Sequence, residues 1–207
     1  ADKSLSPLIF NYWFKKYNIK AKYSFVRVGE KDFHKALMEK IKNKYVYGFN
    51  VTIPYKKKII KYLDAQNVHA KNIGAVNCVT LGKKIKGNNT DWVGYLNSIK
   101  IEKLRKNKKI IILGYGGASQ AIFYGLMKKG YKNVLVFNRS KKSVKAKGFK
   151  GYTKKYKSIN KHLSDAHLII NTTPTNPLSI NQTKLIDKNT IISDIVYKPK
   201  NTRFLNS

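Results

Sequence analysis

Hydrophobic residues recur along the first half of the chain with the two spacings that distinguish helices from strands. Phe33, Leu37 and Ile41 are four residues apart, which predicts one face of a helix. Between the helical segments, apolar and polar residues alternate. This order of elements is typical of an α/β layer with a mostly parallel sheet. The elements predicted here are strands at 22–28, 47–53 and 75–80 and helices at 7–13, 33–41 and 90–99.

The second half begins after a charged stretch at 100–108, which we interpret as a domain boundary. Residues 109–113 form a continuous apolar run, as expected for a strand buried on both faces. A glycine-rich turn at 114–121 and a helix to Leu126 follow. Further strands are predicted at 133–137, 166–171 and 191–195. The predicted fold class is therefore α/β with two domains, an N-terminal α/β domain at 1–99 and a C-terminal Rossmann-like domain at 100–207.

Composition excludes several classes of protein. With 207 residues and 42% hydrophobic content, the chain can bury a core, and no apolar run is long enough to span a bilayer. The single cysteine, Cys78, excludes an internal disulfide framework and indicates a reducing, cytoplasmic location. The four histidines lack metal-ligand spacing, so no metal site is expected.

The net charge of +33 raises the question of nucleic-acid binding. The excess is almost entirely lysine spread along every segment, whereas groove readers and phosphate clamps favour arginine. We therefore expect neither a specific nucleic-acid partner nor a membrane partner. The positive field should instead attract anionic small molecules.

The segment 50–56 reads Asn-Val-Thr-Ile-Pro-Tyr-Lys. In a strand, Asn50 and Thr52 would share one face while Val51 and Ile53 pack behind, and Pro54 would end the strand. Lys56 would then lie near the same pocket, an arrangement that suits a polyhydroxylated acid. The alternative is an edge strand followed by a solvated, lysine-rich helix.

Two later segments add polar groups. Asn77 lies among apolar residues in the predicted strand at 75–80, and Thr90 and Asp91 open the next helix. Thr90 as N-cap and Asp91 in the first turn both favour a helix start. This capping role does not exclude catalysis by Asp91.

The glycine turn has the strand–turn–helix context of a dinucleotide site. Gly114 permits the tight turn, and Gly116 lets backbone N–H groups approach a pyrophosphate. Ser119 replaces the third glycine of the simple fingerprint. At the end of the next strand, residues 138–140 are Asn-Arg-Ser instead of an acidic residue, which suits the 2′-phosphate of NADP. The alternative for this segment is a basic helix start.

Together, Ser4-Leu5-Ser6-Pro7, the 50–56 segment, Gly-Ala-Val-Asn at 74–77 and Asn-Asn-Thr-Asp at 88–91 resemble the substrate domain of shikimate dehydrogenases. The resemblance continues through Asn-Thr-Thr-Pro at 171–174 and the segment 194–199. It implies NADPH-dependent, reversible reduction of 3-dehydroshikimate to shikimate, a step in aromatic amino-acid biosynthesis.

The resemblance also implies roles for individual residues. Lys56 would be the general acid, aligned by Asp91. The implied substrate-binding residues are Ser4, Ser6, Asn50, Thr52, Asn77 and Tyr197. The implied NADP-binding residues are Gly114, Gly116, Gly117, Ala118, Ser119, Asn138, Arg139, Ser140, Thr172 and Ile195.

The sequence departs from the family pattern in places. Asn176 stands near a family glycine, and Ser143 stands at a usually basic position, a role that Lys141 or Lys142 would have to cover. The family strand before Ser4 and the helices after Tyr197 are expected but are not in this sequence, which is either trimmed or a truncated relative. Alternative functions are a quinate-active dehydrogenase of cyclic hydroxy acids and a non-catalytic nucleotide- or polyanion-binding relative. A homodimer is a further expectation.

Overall fold

The computed structural model describes residues 4–99, 101–146, 149–197 and 199–206. The chain divides into a first unit at 1–46 and a second unit at 47–207. The predicted domain boundary at 99/100 remains a prediction. Within the described residues, no helix has the length and apolar character needed to cross a membrane.

The first unit contains helices α1 (Ser6–Lys16) and α2 (Phe33–Lys42). The strand predicted at 22–28 is wrong, because this segment forms no β-ladder in the described part of the chain. Its Tyr23 is instead fixed against α1. The Tyr23 ring stacks on Phe10 at 4.6 Å, and the Asn11 side chain bonds both the N–H and the carbonyl of Tyr23 at 2.8 and 2.9 Å. Tyr23 therefore packs on a helix, whereas Phe25 and Val26 of the same segment are exposed.

The second unit begins with a small mixed sheet. Its elements are β1 (Gly48–Asn50), β2 (Ala65–Gln66), β3 (Cys78–Thr80) and β4 (Lys86–Asn88), with a 3-10 helix at Lys58–Tyr62 and helices α3 (Val68–Ile73) and α4 (Asp91–Ser98). The strand order is β1-β3-β4-β2. β3 pairs antiparallel with both β1 and β4, and only β4 and β2 pair in parallel. The expected parallel arrangement does not describe this sheet.

A fully parallel sheet lies in the rest of the unit, with its strands in the order Ile191–Asp194, Leu168–Asn171, Ile110–Leu113 and Val134–Phe137. One of its two central strands, Ile110–Leu113, is buried at every position, as the continuous apolar run predicts. The elements of this part are β5 (Ile110–Leu113), α5 (Gly117–Lys128), β6 (Val134–Phe137), β7 (Ser143–Ala146), β8 (Phe149–Tyr152), α6 (Asn160–Leu163), β9 (Leu168–Asn171), α7 (Ile180–Thr183) and β10 (Ile191–Asp194). This architecture confirms the predicted α/β fold class.

A helix after β6, the alternative considered for the basic segment, does not form. β7 and β8 pair as an antiparallel hairpin in its place. Thr153 closes the base of the hairpin, because its hydroxyl accepts from the Lys142 N–H at 3.0 Å and donates to the Ser140 carbonyl at 3.1 Å. A hairpin avoids placing basic side chains at the positive end of a helix.

One hydrophobic core joins α4, α5 and the parallel sheet. Leu96 of α4, Phe123 of α5 and Ile112 of β5 are all buried in it. This packing places the start of α4 and the start of α5 in the same region of the second unit, and both helix starts carry predicted site residues.

Candidate active site

Lys56 and Asp91 form an ion pair in the second unit. Lys56 Nζ lies 2.7 Å from Asp91 Oδ2, and the two side chains are 14% and 25% exposed, respectively. The backbone of Lys56 is also fixed, since its carbonyl accepts from the Val76 N–H at 2.8 Å. The ammonium group is thus held in place but remains accessible from solvent.

Asn77 holds the other oxygen of the Asp91 carboxylate. Its Nδ2 donates to Asp91 Oδ1 at 2.7 Å and to Thr90 Oγ1 at 3.0 Å, while its Oδ1 accepts from the Thr90 N–H at 2.9 Å. The side chain is nearly buried, and both amide hydrogens are used. In this arrangement Asn77 orients Asp91, and its role as a direct substrate contact remains a prediction.

The start of α4 is capped differently from the prediction. Thr90 occupies the N-cap position, but its side chain makes no capping hydrogen bond. Instead, Asn89 Oδ1 accepts from the Asp91 N–H at 3.0 Å, and Asn89 Nδ2 donates to the Ala75 carbonyl at 2.9 Å. Thr90 as the N-cap residue and Asp91 in the first turn are confirmed, but the Thr90 hydroxyl is engaged by Asn77 and does not cap the helix.

Asn50 and Thr52 do not share a strand face, because β1 ends at Asn50. Asn50 Nδ2 donates to the Asn77 carbonyl at 3.2 Å, and Thr52 is exposed in the turn that follows. Val51 is buried as predicted, but Ile53 is 70% exposed, so the prediction that it packs behind the strand is wrong.

The glycine turn between β5 and α5 has the geometry that its sequence predicts. Gly114 has φ +93°, and a Cβ atom there would lie 2.8 Å from Thr172 Oγ1, so only glycine fits without strain. A Cβ atom on Gly116 would meet nothing within 4 Å, and no side chain caps the α5 N-terminus. The N–H groups of Gly117 and Ala118 therefore begin a helix with open space in front of it. Such a helix start suits a phosphate.

Two hydroxyl groups fix the shape of this turn. Ser119 is fully buried, and its Oγ donates to the Gly114 carbonyl at 2.8 Å. Thr172 Oγ1 donates to the Leu113 carbonyl at 2.6 Å at the end of the adjacent strand. Both side chains are used within the protein, so any contact with a cofactor would involve their remaining lone pairs or backbone.

The segment predicted to select NADP lies at the end of β6. Asn138 Nδ2 donates to the Ser140 carbonyl at 2.9 Å and to its hydroxyl at 3.3 Å, which curls the segment into a turn. The Arg139 side chain is exposed. A guanidinium held on a turn at this edge of a parallel sheet is placed where open α/β sheets bind ligands.

The glycine turn and the ion pair are neighbours. A Cβ atom on Gly117 would lie 3.4 Å from Cδ of Lys56, so the first turn of α5 passes directly beside the lysine stem. A glycine turn whose geometry suits a phosphate and the ammonium-bearing side chain of Lys56 thus lie side by side. This juxtaposition is what a dehydrogenase that joins a dinucleotide to a ketone substrate requires.

Comparison with known proteins identifies the family. Residues 1–79 match the model of the shikimate dehydrogenase substrate binding domain, and residues 96–200 match that of shikimate / quinate 5-dehydrogenase. The shikimate dehydrogenase (NADP(+)) of Oceanobacillus iheyensis is 35% identical over 99% of this chain and 78% of its own length. The chain belongs to the shikimate dehydrogenase family.

Solved structures of family members have the same fold. Shikimate dehydrogenase 1 from Peptoclostridium difficile superposes with a TM-score of 0.82 at 33% identity, covering 98% of this chain and 76% of that one. The enzyme from Thermus thermophilus, in complex with NADP(H) and shikimate, superposes with a TM-score of 0.80 at 25% identity. The superposition covers 98% of this chain and 78% of that one. The sequence resemblance to shikimate dehydrogenases is confirmed.

The remaining residues implied by the family resemblance are less constrained. Ser4 and Ser6 belong to the first unit, where Ser4 Oγ accepts from the Ser6 N–H at 3.3 Å. Helix α1 begins at Ser6, and Leu5 precedes it as N-cap. Tyr197 is 57% exposed, and the Ile195 N–H donates to the Asn171 carbonyl at 3.1 Å.

Sequence reasoning missed the residues that support the family motif. The sequence pattern does not predict that Asn89 caps α4. It predicts Asn77 as a substrate contact and not as the support of Asp91. The sequence signal for both roles is the group of asparagines at 77, 88 and 89. Buried amide side chains usually have hydrogen-bond partners, so such a group indicates a supporting network. Within the described residues, no group of three or more metal-ligating side chains occurs.

Proposed function

We propose that this chain is an NADP-dependent shikimate dehydrogenase that interconverts 3-dehydroshikimate and shikimate. The observation that carries the proposal is the Lys56–Asp91 ion pair at 2.7 Å beside the first turn of α5. Neither half alone would suffice. Ion pairs are common, and glycine turns bind many nucleotides, but their contact fits oxidoreduction of a small hydroxy acid.

Lys56 is the proposed general acid of the reduction. When the ketone accepts a hydride, its oxygen becomes an alkoxide and takes a proton from Lys56 Nζ; in the reverse reaction neutral lysine removes that proton. Asp91 directs Nζ, and Asn77 fixes Asp91 through the opposite carboxylate oxygen. The three side chains form a chain in which each orients the next.

The substrate-binding residues are proposed from exposure and chemistry. Asn50 and Thr52 lie within six residues of Lys56, and both present polar groups at the surface of the second unit. Tyr197 is proposed as a contact near the nicotinamide, and Ser4 and Ser6 are proposed as substrate-binding residues on the basis of the family motif. Hydroxyl and amide groups are suited to a polyhydroxylated acid because they can donate and accept.

The residues of the turn fit a dinucleotide. Gly116 leaves open space, the uncapped N–H groups at the start of α5 favour an anion, and Arg139 offers a bidentate donor for the 2′-phosphate. When bound, NADPH supplies the hydride for the ketone carbon. The backbone of Gly114–Ser119 and the side chains at 138–140 would hold it, with Thr172 and Ile195 at the neighbouring strand ends.

The deciding experiment measures formation of the reduced cofactor, NADPH or NADH, by the purified chain with shikimate or quinate as substrate and NADP or NAD as cofactor. The proposal expects the highest kcat/KM with shikimate and NADP. Faster turnover of quinate would favour the broader hydroxy-acid dehydrogenase instead. NADP binding without turnover of either acid would favour a non-catalytic nucleotide-binding protein. We also propose a cytoplasmic location, consistent with the single cysteine.

A further inference from the structure

Tyr95 lies one helical turn after Asp91 on α4. Residues four apart share a helix face, so Tyr95 and Asp91 are connected rigidly through the helix. The Tyr95 hydroxyl donates to Ser193 Oγ of β10 at 2.9 Å. Burial raises the pKa of Tyr95 well above its ordinary value, so the hydroxyl remains a donor at any physiological pH.

The strand that receives this hydrogen bond is itself fixed. The neighbour of Ser193, Asp194, accepts from the Thr202 hydroxyl at 2.7 Å and from the Val196 N–H at 2.9 Å. Asn171 of β9 also donates to Asp194, at 3.3 Å. β10 leads directly to Ile195 and the segment that carries Tyr197. The end of β10 is therefore held in place by hydrogen bonds from β9 and from the segment that follows β10.

Apolar contacts also join α4 to the parallel sheet. Leu96 is buried in the core, and Tyr95 packs against it with its ring. Apolar contacts are non-directional, so they hold the helix against the sheet without fixing its axial position. A hydrogen bond has a narrow range of distance and angle, so the Tyr95–Ser193 bond can fix that position.

We propose that Tyr95, through Ser193, is a positioning residue for the reaction. Asn77 and Asn89 fix the first turn of α4. The Tyr95–Ser193 hydrogen bond ties the next turn to β10, and so fixes α4 relative to the parallel sheet that carries the cofactor turn. The inference rests on the proposed function. A displacement of about 1 Å at a reacting group can reduce turnover strongly, so the loss of one hydroxyl far from the substrate should be visible in kcat.

The test compares Tyr95→Phe, Ser193→Ala and the double variant with the unmodified chain. Each single variant should lower kcat ~3- to 10-fold, the scale of one net hydrogen bond, with both KM values within about twofold. The double variant should lose no more than either single variant, because both remove the same bond. Ser193→Thr, which keeps a hydroxyl, should retain most of the activity.

Tyr131→Phe is the matched control. It removes a buried tyrosine hydroxyl that donates to the Ile101 carbonyl and, at 3.0 Å, to the Leu104 carbonyl. Tyr131 lies just before β6 begins, at the opposite edge of the parallel sheet. It should lower the free energy of unfolding about as much as Tyr95→Phe but leave kcat unchanged. Unchanged kcat in Tyr95→Phe, additive losses in the double variant, or an equal kcat loss in Tyr131→Phe would overturn the inference. An unmodified chain without activity would instead overturn the proposed function, and this inference with it.

Discussion

Replacing Asn77 with alanine removes the support of the Asp91 carboxylate. The variant loses the 2.7 Å bond from Nδ2 to Asp91 Oδ1 and the bonds to the backbone and hydroxyl of Thr90. A hydrogen bond to a charged group contributes ~1.5–3 kcal/mol. With ~1.4 kcal/mol for each factor of ten, kcat should fall by ~10- to 100-fold. Asp91 would keep its contact with Lys56 but lose the hydrogen-bond partner of Oδ1, so the alignment of Lys56 would weaken.

The assay is steady-state oxidation of shikimate by NADP, together with urea unfolding to account for the loss of a buried side chain. Asn50→Ala is the comparison, because the Asn50 side-chain amide donates to the backbone carbonyl of Asn77 at 3.2 Å. We expect Asn77→Ala to act mainly on kcat and Asn50→Ala mainly on the KM for shikimate. If Asn77→Ala raised KM alone, Asn77 would be a substrate contact and not a support for Asp91.

Two further predictions concern cofactor choice and acid stability. Arg139→Ala should reduce the preference for NADP over NAD by ~1–3 kcal/mol, measured as the ratio of the two kcat/KM values, and equal use of both cofactors by the unmodified chain would contradict this role. Burial, and then the charges of Lys109, Lys154 and Lys161, lowers the pKa of His162, whose Nε2 is buried without a partner among the described residues. Because the folded state binds this proton more weakly, the stability present above the ordinary pKa of ~6.5 is lost as pH falls through the lower folded value. His162→Leu should therefore flatten the dependence of unfolding free energy on pH between about 7 and 5, and an unchanged slope in urea titrations would show that His162 does not cause it.

The fold could be predicted where the sequence pattern is strongly local. The apolar run of β5, its glycine turn and α5 follow from consecutive residues. The bounds of β5 and the end of α5 lie within two residues of the prediction, whereas α5 begins at Gly117, inside the predicted turn. The segment at 22–28 could not be predicted, because alternation does not show whether the partner is a strand or a helix. The hairpin of β7 and β8 depends on Thr153, which contacts Lys142 eleven residues away.

The site shows the same division. Lys56 and Asp91 could be named from motifs, but their 2.7 Å contact joins positions 35 residues apart. The position of Asn77 in a strand suggested a side chain directed into a pocket. The Asn77 side chain instead spends its hydrogen bonds on Thr90 and Asp91. This contact depends on how the segment before β3 packs against the start of α4, which no local sequence pattern encodes. Tyr95 and Ser193 are separated by 98 residues and carry no motif at all.

The central claim is that Lys56 supplies the proton in a shikimate dehydrogenase. The most direct test is kcat for the NADP-dependent oxidation of shikimate by Lys56→Ala, with Lys61→Ala, an exposed lysine of the adjacent 3-10 helix, as control. Lys56→Ala should lower kcat by ~100-fold or more, the usual scale for a lost acid–base group, while binding of NADP stays within about threefold and Lys61→Ala remains within about twofold of the unmodified chain. Near-normal kcat in Lys56→Ala would contradict the assignment of the proton donor and the mechanism built on it.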